Sequence, residues 1–408
     1  MLDFAKKIFR GDRVIWMIFL SLCLISIIEV YSASSMLTYK TNYWAPITRH
    51  TMFLLLGAVF VGITLMIKPR FFWFFAGILP VVWILMIVAK FIGHGANEAN
   101  RWILGFQPSE FAKLSLIVFV AFLLSWKRNQ IPEKVSFNWI WVLTALTCAI
   151  ILLDNLSTAI ILYGVVGVLL FIGQISFKRV FIYFSTAIAA VALMFAFIWF
   201  SPEKAKDVGL KRAVTWVERI KTYKQEPEIT KNNIPDDVFQ ATQAKIAVAR
   251  GGIFGKFPGN GQQRNFLPQA YSDFIYAIII EETGIVGGIF VLFLYVFLFI
   301  RAGTIAGRCT SIFPKLLVIG SALMIVIQAL INMAVSVSLL PVTGQPLPLI
   351  SKGGTSQVVT CIFIGIILSV SYFENPRGVR QEAEFEAEFE EERRLSEEED
   401  DLEAQLIY

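Results

Sequence analysis

Charged residues are scarce in this chain. Only 16% of its 408 residues are Asp, Glu, Lys or Arg, and 56% are hydrophobic, whereas a soluble globular protein carries about a quarter charged residues. With a mean hydropathy of +0.65, an ordinary soluble domain is excluded. Nucleic acid is not an expected partner, because the basic residues fall in short loops and do not follow one face.

Histidine and cysteine are also rare, with two and four residues respectively. Their positions show no spacing typical of a zinc site or of a disulfide framework. We therefore expect no metal centre built on histidine or cysteine. The residues are His50, His94, Cys23, Cys148, Cys309 and Cys361.

Long apolar runs make up most of the chain, and ten of them are of membrane-spanning length. The first run lacks a convincing signal-peptide cleavage site, so we interpret it as an uncleaved helix. The sequence therefore predicts an all-α polytopic integral membrane protein with ten transmembrane helices. The runs cover residues 14–33, 50–67, 72–92, 110–126, 138–153, 156–174, 179–200, 274–300, 315–337 and 355–373.

Lysine and arginine concentrate in alternate short loops, which predicts that the N-terminus is cytoplasmic. Ten crossings would return the C-terminus to the cytoplasm. The predicted parts are a cytoplasmic lead at 1–13, a membrane domain at 14–374 with a large extracytoplasmic loop at 201–272 between helices 7 and 8, and an acidic cytoplasmic tail at 375–408. Dense like charges favour a disordered or loosely helical tail, which either keeps the chain soluble or recruits a partner.

Three carboxylates mark the end of the large loop. Asp273 lies where the loop joins the eighth apolar run, and Glu281 and Glu282 lie further along that run. A charge at bilayer depth costs at least about 2.5–3.5 kcal/mol, so it faces protein or a wet cavity. At about 1.5 Å per residue the two glutamates lie about 12–13 Å beyond Asp273. We interpret them as structural polar contacts within the bundle, too deep for a reaction at the lipid headgroups.

The second half of the large loop has a pattern typical of ordered structure. Residues 237–250 predict a short helix, and several glycines follow it beside Lys256 and Arg264. A basic, glycine-rich surface can bind diphosphate through charge and exposed backbone N–H groups. An ordinary solvated loop explains the same composition equally well.

Two other outward loops carry unusual residues. Pro108-Ser109-Glu110 predicts a helix start, and Glu110 and Lys113, three residues apart, can pair on one helix face. That pair is either part of a site or a self-satisfied structural contact. The stretch 340–356 contains three prolines and predicts a re-entrant or tightly folded cap. Its Lys352 is either a phosphate ligand or an anchor that extends toward the headgroups.

Two further carboxylates lie within or beside the apolar runs. Asp154 falls in the outward turn between the fifth and sixth runs, and Glu29 lies on the first run. For both we favour a structural polar role in the bundle over catalysis.

Four stretches, taken together and in order, resemble the SEDS family (shape, elongation, division and sporulation), the bacterial FtsW/RodA peptidoglycan polymerases. The similarity covers about residues 10–375. The stretches are Arg101-Trp102-Ile103 with residues 107–113; Asp154 with Ser157-Thr158-Ala159; Leu267-Pro268 with residues 272–277 and Glu281-Glu282-Thr283-Gly284; and Ile331-Asn332 with residues 339–341, Gly344, residues 347–351 and Gly353-Gly354.

The resemblance implies a glycosyltransferase that polymerises lipid II into β-1,4 glycan strands at the outer face of the bacterial cytoplasmic membrane and releases undecaprenyl diphosphate. It implies that Asp273 is the catalytic carboxylate and that Arg101, Glu110 and Lys113 line the same cavity. A divalent cation, Mg²⁺ or Mn²⁺, is a possible cofactor. The implied partners are a class B penicillin-binding transpeptidase and other membrane proteins of the division machinery.

Within the family, the charged N-terminal lead and the long tail favour the division-type FtsW branch at the septum over a RodA-type elongation polymerase. The chain departs from the family pattern at Lys352, where tyrosine is usual, and in the Asp154-Asn155-Leu156-Ser157-Thr158 turn. A lipid II flippase or other transporter is the alternative activity, and it would use Asp154, Glu281 and Glu282 along a path. A structural scaffold of the division machinery is a third possibility.

Overall fold

The computed structural model describes residues 10–34, 45–92, 105–127, 131–201, 214, 217, 236–267 and 272–374. The elements of these residues are helical. They are α1 (Arg13–Ser34), α2 (Ala45–Met66), a 3₁₀ turn (Pro69–Trp73), α3 (Phe74–Gly77), α4 (Leu79–Ile92), α5 (Pro108–Lys127), α6 (Glu133–Leu152), α7 (Leu156–Ile172), α8 (Phe177–Phe200), α9 (Asp236–Gly251), a 3₁₀ turn (Gln263–Asn265), α10 (Ile275–Arg308), α11 (Ile312–Ser336) and α12 (Gly354–Phe373).

Each predicted apolar run is helical in the structure. Within the described residues, eight helices are long and apolar enough to cross a membrane, and the bent pair at 69–91 makes a ninth if it is one span. The remaining run is α7, an apolar helix of 17 residues. The polytopic helical fold is confirmed, whereas the count of ten crossings stays a prediction.

The bundle is centred on α5, α11 and α12. These helices have small or apolar side chains on all sides, among them Ala112, Leu116, Ala322 and Ile366, which are fully buried. A helix that is apolar all round belongs in a bundle interior. The peripheral helix α8 instead exposes large side chains such as Phe181, as a lipid-facing helix should.

The start of α1 and the end of α12 lie on the same side of the bundle. The backbone N–H of Asp12 donates to Ser371 Oγ (2.9 Å), and the Asp12 carboxylate receives three hydrogen bonds from Arg301, two from Nε at 3.0 Å and one from Nη2 at 2.6 Å. The first and last helices, together with the end of α10, are therefore joined at one face. The cytoplasmic assignment of that face remains a prediction.

Helix α10 is broken at Gly284, whose φ of 75° and ψ of −177° are not helical. The segment after α9 packs against the break through four backbone hydrogen bonds: Lys256 N to Glu281 O (3.1 Å), Phe257 N to Glu282 O (2.7 Å), Ile285 N to Gly252 O (2.9 Å) and Val286 N to Ile253 O (3.3 Å). A break in a helix frees backbone groups, and here the large loop pairs with them.

The break separates Glu281 and Glu282 from the exposed part of α10. Residues 275–282 are all buried in protein, and large exposed side chains begin at Ile285 and Val286. The exposed part of α10 therefore starts after the glutamates, which lie beside the folded loop. The helix is continuous from Ile275 to Glu282, so the predicted spacing of the glutamates from Asp273 is unaffected by the break, and their depth in the membrane stays a prediction.

We expect Gly284→Ala to destabilise the protein by at least about 2–3 kcal/mol, because alanine is strained at positive φ and its Cβ would overlap the carbonyl oxygen of Ile253. Thermal unfolding in detergent measures the effect. The matched control is Gly303→Ala on the same helix, where no atom lies within 4 Å of an added Cβ. Equal unfolding midpoints for the two variants would contradict the docking of the loop at the break.

Candidate active site

Asp273 lies in the turn at 272–274, just before Phe274, which precedes the first residue of α10. Its side chain is half-buried and receives a hydrogen bond from Ser272 Oγ to Oδ1 (2.9 Å). The other oxygen faces the loop at 340–353, since a Cβ added to Gly344 would lie 3.7 Å from Asp273 Oδ2. The positive N-terminus of α10 favours the ionised carboxylate at this position.

The loop between α11 and α12 folds into the end of the bundle. This agrees with the predicted re-entrant or tightly folded cap. Its residues Gln345 and Leu347–Ser351 are buried although they form no regular helix. Buried backbone groups outside regular structure need side-chain partners, because an unmade hydrogen bond there costs several kcal/mol. The surrounding helices supply them.

Four loop carbonyl groups accept hydrogen bonds from side chains of three helices. The donors are Asn332 Nδ2 to Gln345 O (2.7 Å), Gln328 Nε2 to Pro346 O (3.1 Å), Ser26 Oγ to Ile350 O (2.8 Å) and Tyr295 Oη to Pro348 O. They come from α11, α1 and α10. The loop is thus held along its length.

Asn332 and the loop residue Ser351 also hold the Asp273 turn. Asn332 Nδ2 donates to Asp273 O (2.8 Å), and Ser351 Oγ donates to Ser272 O (2.6 Å) while it accepts from Leu347 N (2.7 Å). Asn332 is 1% exposed. The backbone that carries the carboxylate and the backbone of the loop are therefore fixed to each other.

Glu110 and Lys113 form a buried ion pair with Lys113 Nζ 2.7 Å from Glu110 Oε2. Lys113 Nζ also donates to Gln328 Oε1 (3.4 Å), and Gln328 is the residue that binds Pro346 O. Lys113 is only 1% exposed. In this conformation the pair supports the loop through Gln328, and its role in binding substrate stays a prediction.

Lys352 follows the loop and is half-buried. Burial lowers its pKa, and the nearby guanidinium of Arg49 lowers the pKa further. The ammonium group therefore loses its charge at a lower pH than an exposed lysine does. A cation in this environment gains from an anionic ligand.

A further set of polar contacts joins α7 to the loop. Gln345 Nε2 donates to Thr158 Oγ1 (2.8 Å), and Asn155 Oδ1 caps α7 by accepting from Thr158 N (3.3 Å). Asp154 lies in the adjoining turn and is half-buried. This turn therefore positions Thr158 beside the loop.

The glycine-rich segment 251–264 packs against α1 and α10. Three of its N–H groups bind side chains of these helices: those of Gln262 and Gln263 donate to Glu281 Oε1 at 3.0 and 3.3 Å, and that of Gly259 donates to Ser32 Oγ (3.1 Å). Ser32 Oγ in turn donates to Glu282 Oε1 (2.5 Å). Buried carboxylate and hydroxyl oxygens therefore occupy these three donors, while diphosphate binding by Lys256 and Arg264 stays a prediction.

The two basic residues of this segment have different environments. Arg264 Nη1 donates to Ser32 O (2.8 Å) and Ser32 Oγ (3.0 Å), and Nη2 donates to Gly259 O (2.5 Å). It ties the loop to α1. Lys256 is half-buried at the break in α10, where its backbone N–H is bound to Glu281 O.

Arg101 lies outside the described residues, so its predicted place in the cavity stays a prediction. Glu29 is 2% exposed on α1, one turn below Ser32, and its Oε2 has no hydrogen-bond partner. Among the described residues, no three His, Cys, Asp or Glu side chains lie together as a metal site.

Sequence reasoning missed most of the residues that hold the loop. Gln328 and Asn332 were not singled out as partners, although two amides four residues apart in an apolar run mark one polar helix face. Ser26 and Tyr295 gave no comparable signal. Their partners lie 324 and 53 residues away in the chain, which spacing along one helix does not reveal.

The comparison with known proteins agrees with the family resemblance of the sequence. The family model of the FtsW/RodA/SpoVE cell cycle proteins matches residues 12–376. The relatives include a "Probable peptidoglycan glycosyltransferase FtsW" of Geobacter metallireducens, 31% identical over 90% of this chain and 96% of the relative. A protein of the same name from Haemophilus influenzae is 31% identical over 88% of this chain and 90% of the relative.

Two solved structures share the fold. A chain of a peptidoglycan synthase complex, described for its coordination of polymerization and crosslinking, superposes with a TM-score of 0.69 at 22% identity, covering 90% of this chain and 99% of that one. The rod shape determining protein RodA from Thermus thermophilus gives a TM-score of 0.61 at 21% identity, covering 89% of this chain and 97% of that one.

We expect Asn332→Asp to loosen the loop and the Asp273 turn together. The isosteric carboxylate cannot donate, so Asp273 O and Gln345 O both lose a donor, at about 1–3 kcal/mol for each unsatisfied group. Hydrogen exchange with mass spectrometry should show faster exchange in peptides covering 272–274 and 344–351. Thermal unfolding should shift to a lower temperature.

The matched control for that variant is Ser336→Ala, one turn further along α11. Ser336 is fully buried and its hydroxyl has no hydrogen-bond partner, so its removal should leave exchange unchanged. Unaltered exchange in Asn332→Asp, or equal effects of the two substitutions, would show that Asn332 does not hold the loop.

Proposed function

The chain belongs to the FtsW/RodA/SpoVE family of cell cycle proteins, and we propose that it is a peptidoglycan glycosyltransferase that polymerises lipid II at the outer face of the cytoplasmic membrane. The observation that carries the proposal is the fixed position of Asp273. Its half-buried carboxylate faces a polar loop, and the backbone beside it is bound by Asn332 and Ser351. Catalysis by a positioned carboxylate requires such fixed geometry.

The reaction forms one bond and breaks one bond. The 4-hydroxyl oxygen of the acceptor sugar attacks C1 of the donor sugar, and the bond from C1 to the diphosphate oxygen breaks with inversion. Asp273 accepts the hydroxyl proton or orders the hydroxyl for attack, which contributes about 10²–10⁴-fold in enzymes of this kind. Undecaprenyl diphosphate leaves with the bonding electrons, and the proton passes to solvent.

The leaving diphosphate needs positive charge where its own charge develops. Lys352 is suited to this role, because it follows the re-entrant loop and gains from an anionic neighbour. Arg101 would supply a second cation, as the family resemblance implies. Lys113 supports the loop in its observed pairing, and it contacts substrate only if its bond to Glu110 opens.

A divalent cation is compatible with this proposal. Mg²⁺ commonly binds through one or two carboxylates together with substrate phosphates and water. Asp273 would be its protein ligand here, with the diphosphate of the donor completing the site. Repeating the activity measurement with a chelator tests this arrangement.

Two features favour an enzyme over a flippase. A transporter would use Glu281 and Glu282 along a path through the bilayer. Instead, the Glu281 carboxylate binds N–H groups of the folded loop segment, and the Glu282 carboxylate accepts from Ser32, which also binds that segment at Gly259. The polar network instead gathers around Asp273 and the re-entrant loop. The relatives carry the name FtsW, which supports a role at the division septum with a class B penicillin-binding transpeptidase as partner.

Asp273→Asn should lower lipid II polymerisation at least about 100-fold, because the amide keeps the shape of the side chain but neither accepts the proton nor carries charge. The assay uses purified protein with its transpeptidase partner and resolves glycan strands by electrophoresis. Asp154→Asn is the control, since this second half-buried aspartate also lies beside a helix start. Full activity in Asp273→Asn would refute the assignment.

Polymerisation should also fall at alkaline pH. Because the pKa of Lys352 is lowered, its ammonium group loses its charge at a lower pH than an ordinary lysine does. Lys352→Arg should retain activity and move this fall to higher pH, because arginine stays charged. Lys352→Met should be impaired at every pH. An alkaline limb that is identical in the parent and in Lys352→Arg would exclude Lys352 as its origin.

A further inference from the structure

A groove crosses the face where α1 starts and α12 ends. Two adjoining cavities of about 370 and 630 Å³ share Ser311 and Phe313 as walls. The first is also lined by Lys68, Arg70 and Glu374, and the second by Phe122 and Trp126. Phe122 and Phe313 are in edge contact with centroids 6.2 Å apart, so the groove is aromatic at one end and charged at the other.

The charged end is predominantly basic. Arg70 lines it, Arg308 and Lys315 lie within four residues of its wall residue Ser311, and all three side chains are exposed. Glu374 is the acidic residue that lines it, and this carboxylate already accepts hydrogen bonds from Thr310 N and Thr310 Oγ1 (both 3.2 Å). An anionic, partly aromatic ligand would match both ends.

The chain itself carries a segment of that composition. Residues 375–408 begin immediately after Glu374 and contain thirteen acidic and four basic residues. Within them, Phe385 and Phe389 are four residues apart among alternating glutamates, the spacing that would bring both rings to one side of a helix formed on binding. Phe385 is eleven residues from Glu374, a reach of up to about 36–40 Å for an extended chain.

We propose that the acidic tail of this chain binds the groove, with Phe385 and Phe389 against Phe122, Trp126 and Phe313 and the glutamates against the basic rim. A segment tethered to Glu374 competes well, because attachment within one chain gives an effective concentration on the order of millimolar. Anionic lipid headgroups would match the charge of the rim. The two phenylalanines of the tail also match the aromatic end, and the tail starts directly after Glu374, which lines the groove.

The test is photo-crosslinking of the full-length protein in nanodiscs of zwitterionic phosphatidylcholine, with benzoylphenylalanine in place of Phe385 or Phe389. Mass spectrometry should place the cross-links within 122–126 and 308–315 of the same chain. Raising KCl to about 1 M, where the Debye length is about 3 Å, should lower their yield. Cross-links to lipid, or between isotopically light and heavy copies, would overturn the proposal.

A charge exchange separates binding from misfolding. Arg70→Glu with Lys315→Glu should lower the yield about tenfold, as expected for several surface ion pairs acting together. Lysines at 382, 384, 386 and 388 should restore the yield in that variant. The control, Lys134→Glu with Lys178→Glu, changes the net charge equally at exposed residues that do not line the groove. Equal yields in both reversals, or no restoration, would contradict tail binding.

Discussion

The site depends on one constraint: buried backbone outside regular structure must find hydrogen-bond partners. The loop at 340–353 meets this constraint with side chains from α1, α10 and α11. Asn332 satisfies two carbonyl groups at once, one in the loop and one at Asp273. The polar residues in the apolar helices thus hold the loop and align the carboxylate in the same set of bonds.

The segment after α9 also has backbone groups that need hydrogen-bond partners, but there the groups are N–H donors and the side chains accept. The loop at 340–353 presents carbonyl groups and is bound by amide and hydroxyl donors. The segment at 256–263 presents N–H groups, and Glu281 with Ser32 accepts from three of them. This difference explains why amides populate α11 while carboxylates populate the first part of α10. It also accounts for Gly284, because the helix must break before the segment can pair with it.

The sequence predicts the elements better than it predicts their contacts. The apolar runs give the helices, the pattern at 237–250 gives α9, and the three prolines after residue 340 predict the folded cap. Apolar periodicity suffices there because burial is a property of each segment. The partners of Glu281 were not predictable in this way, since Gln262 and Gln263 lie on a loop whose path depends on a glycine break. Ser26 and Tyr295 gave no sequence signal, because each acts through a single contact with a distant carbonyl group.

The anchoring also bears on how Asp273 works. Both carbonyl groups of the Ser272–Asp273 backbone are bound, while the carboxylate has a hydrogen bond from the neighbouring Ser272 hydroxyl. The backbone position is therefore fixed, and the side chain is held by a contact that moves with it. The N-terminus of α10 favours the ionised form, which suits a group that must accept a proton or attract a cation at neutral pH but reduces its strength as a base. Binding of the acceptor sugar over the carboxylate would exclude water and offset that loss, because desolvation favours the protonated form. The bound substrate would therefore strengthen Asp273 as a base, and the fixed backbone would hold the carboxylate in one position for the reaction.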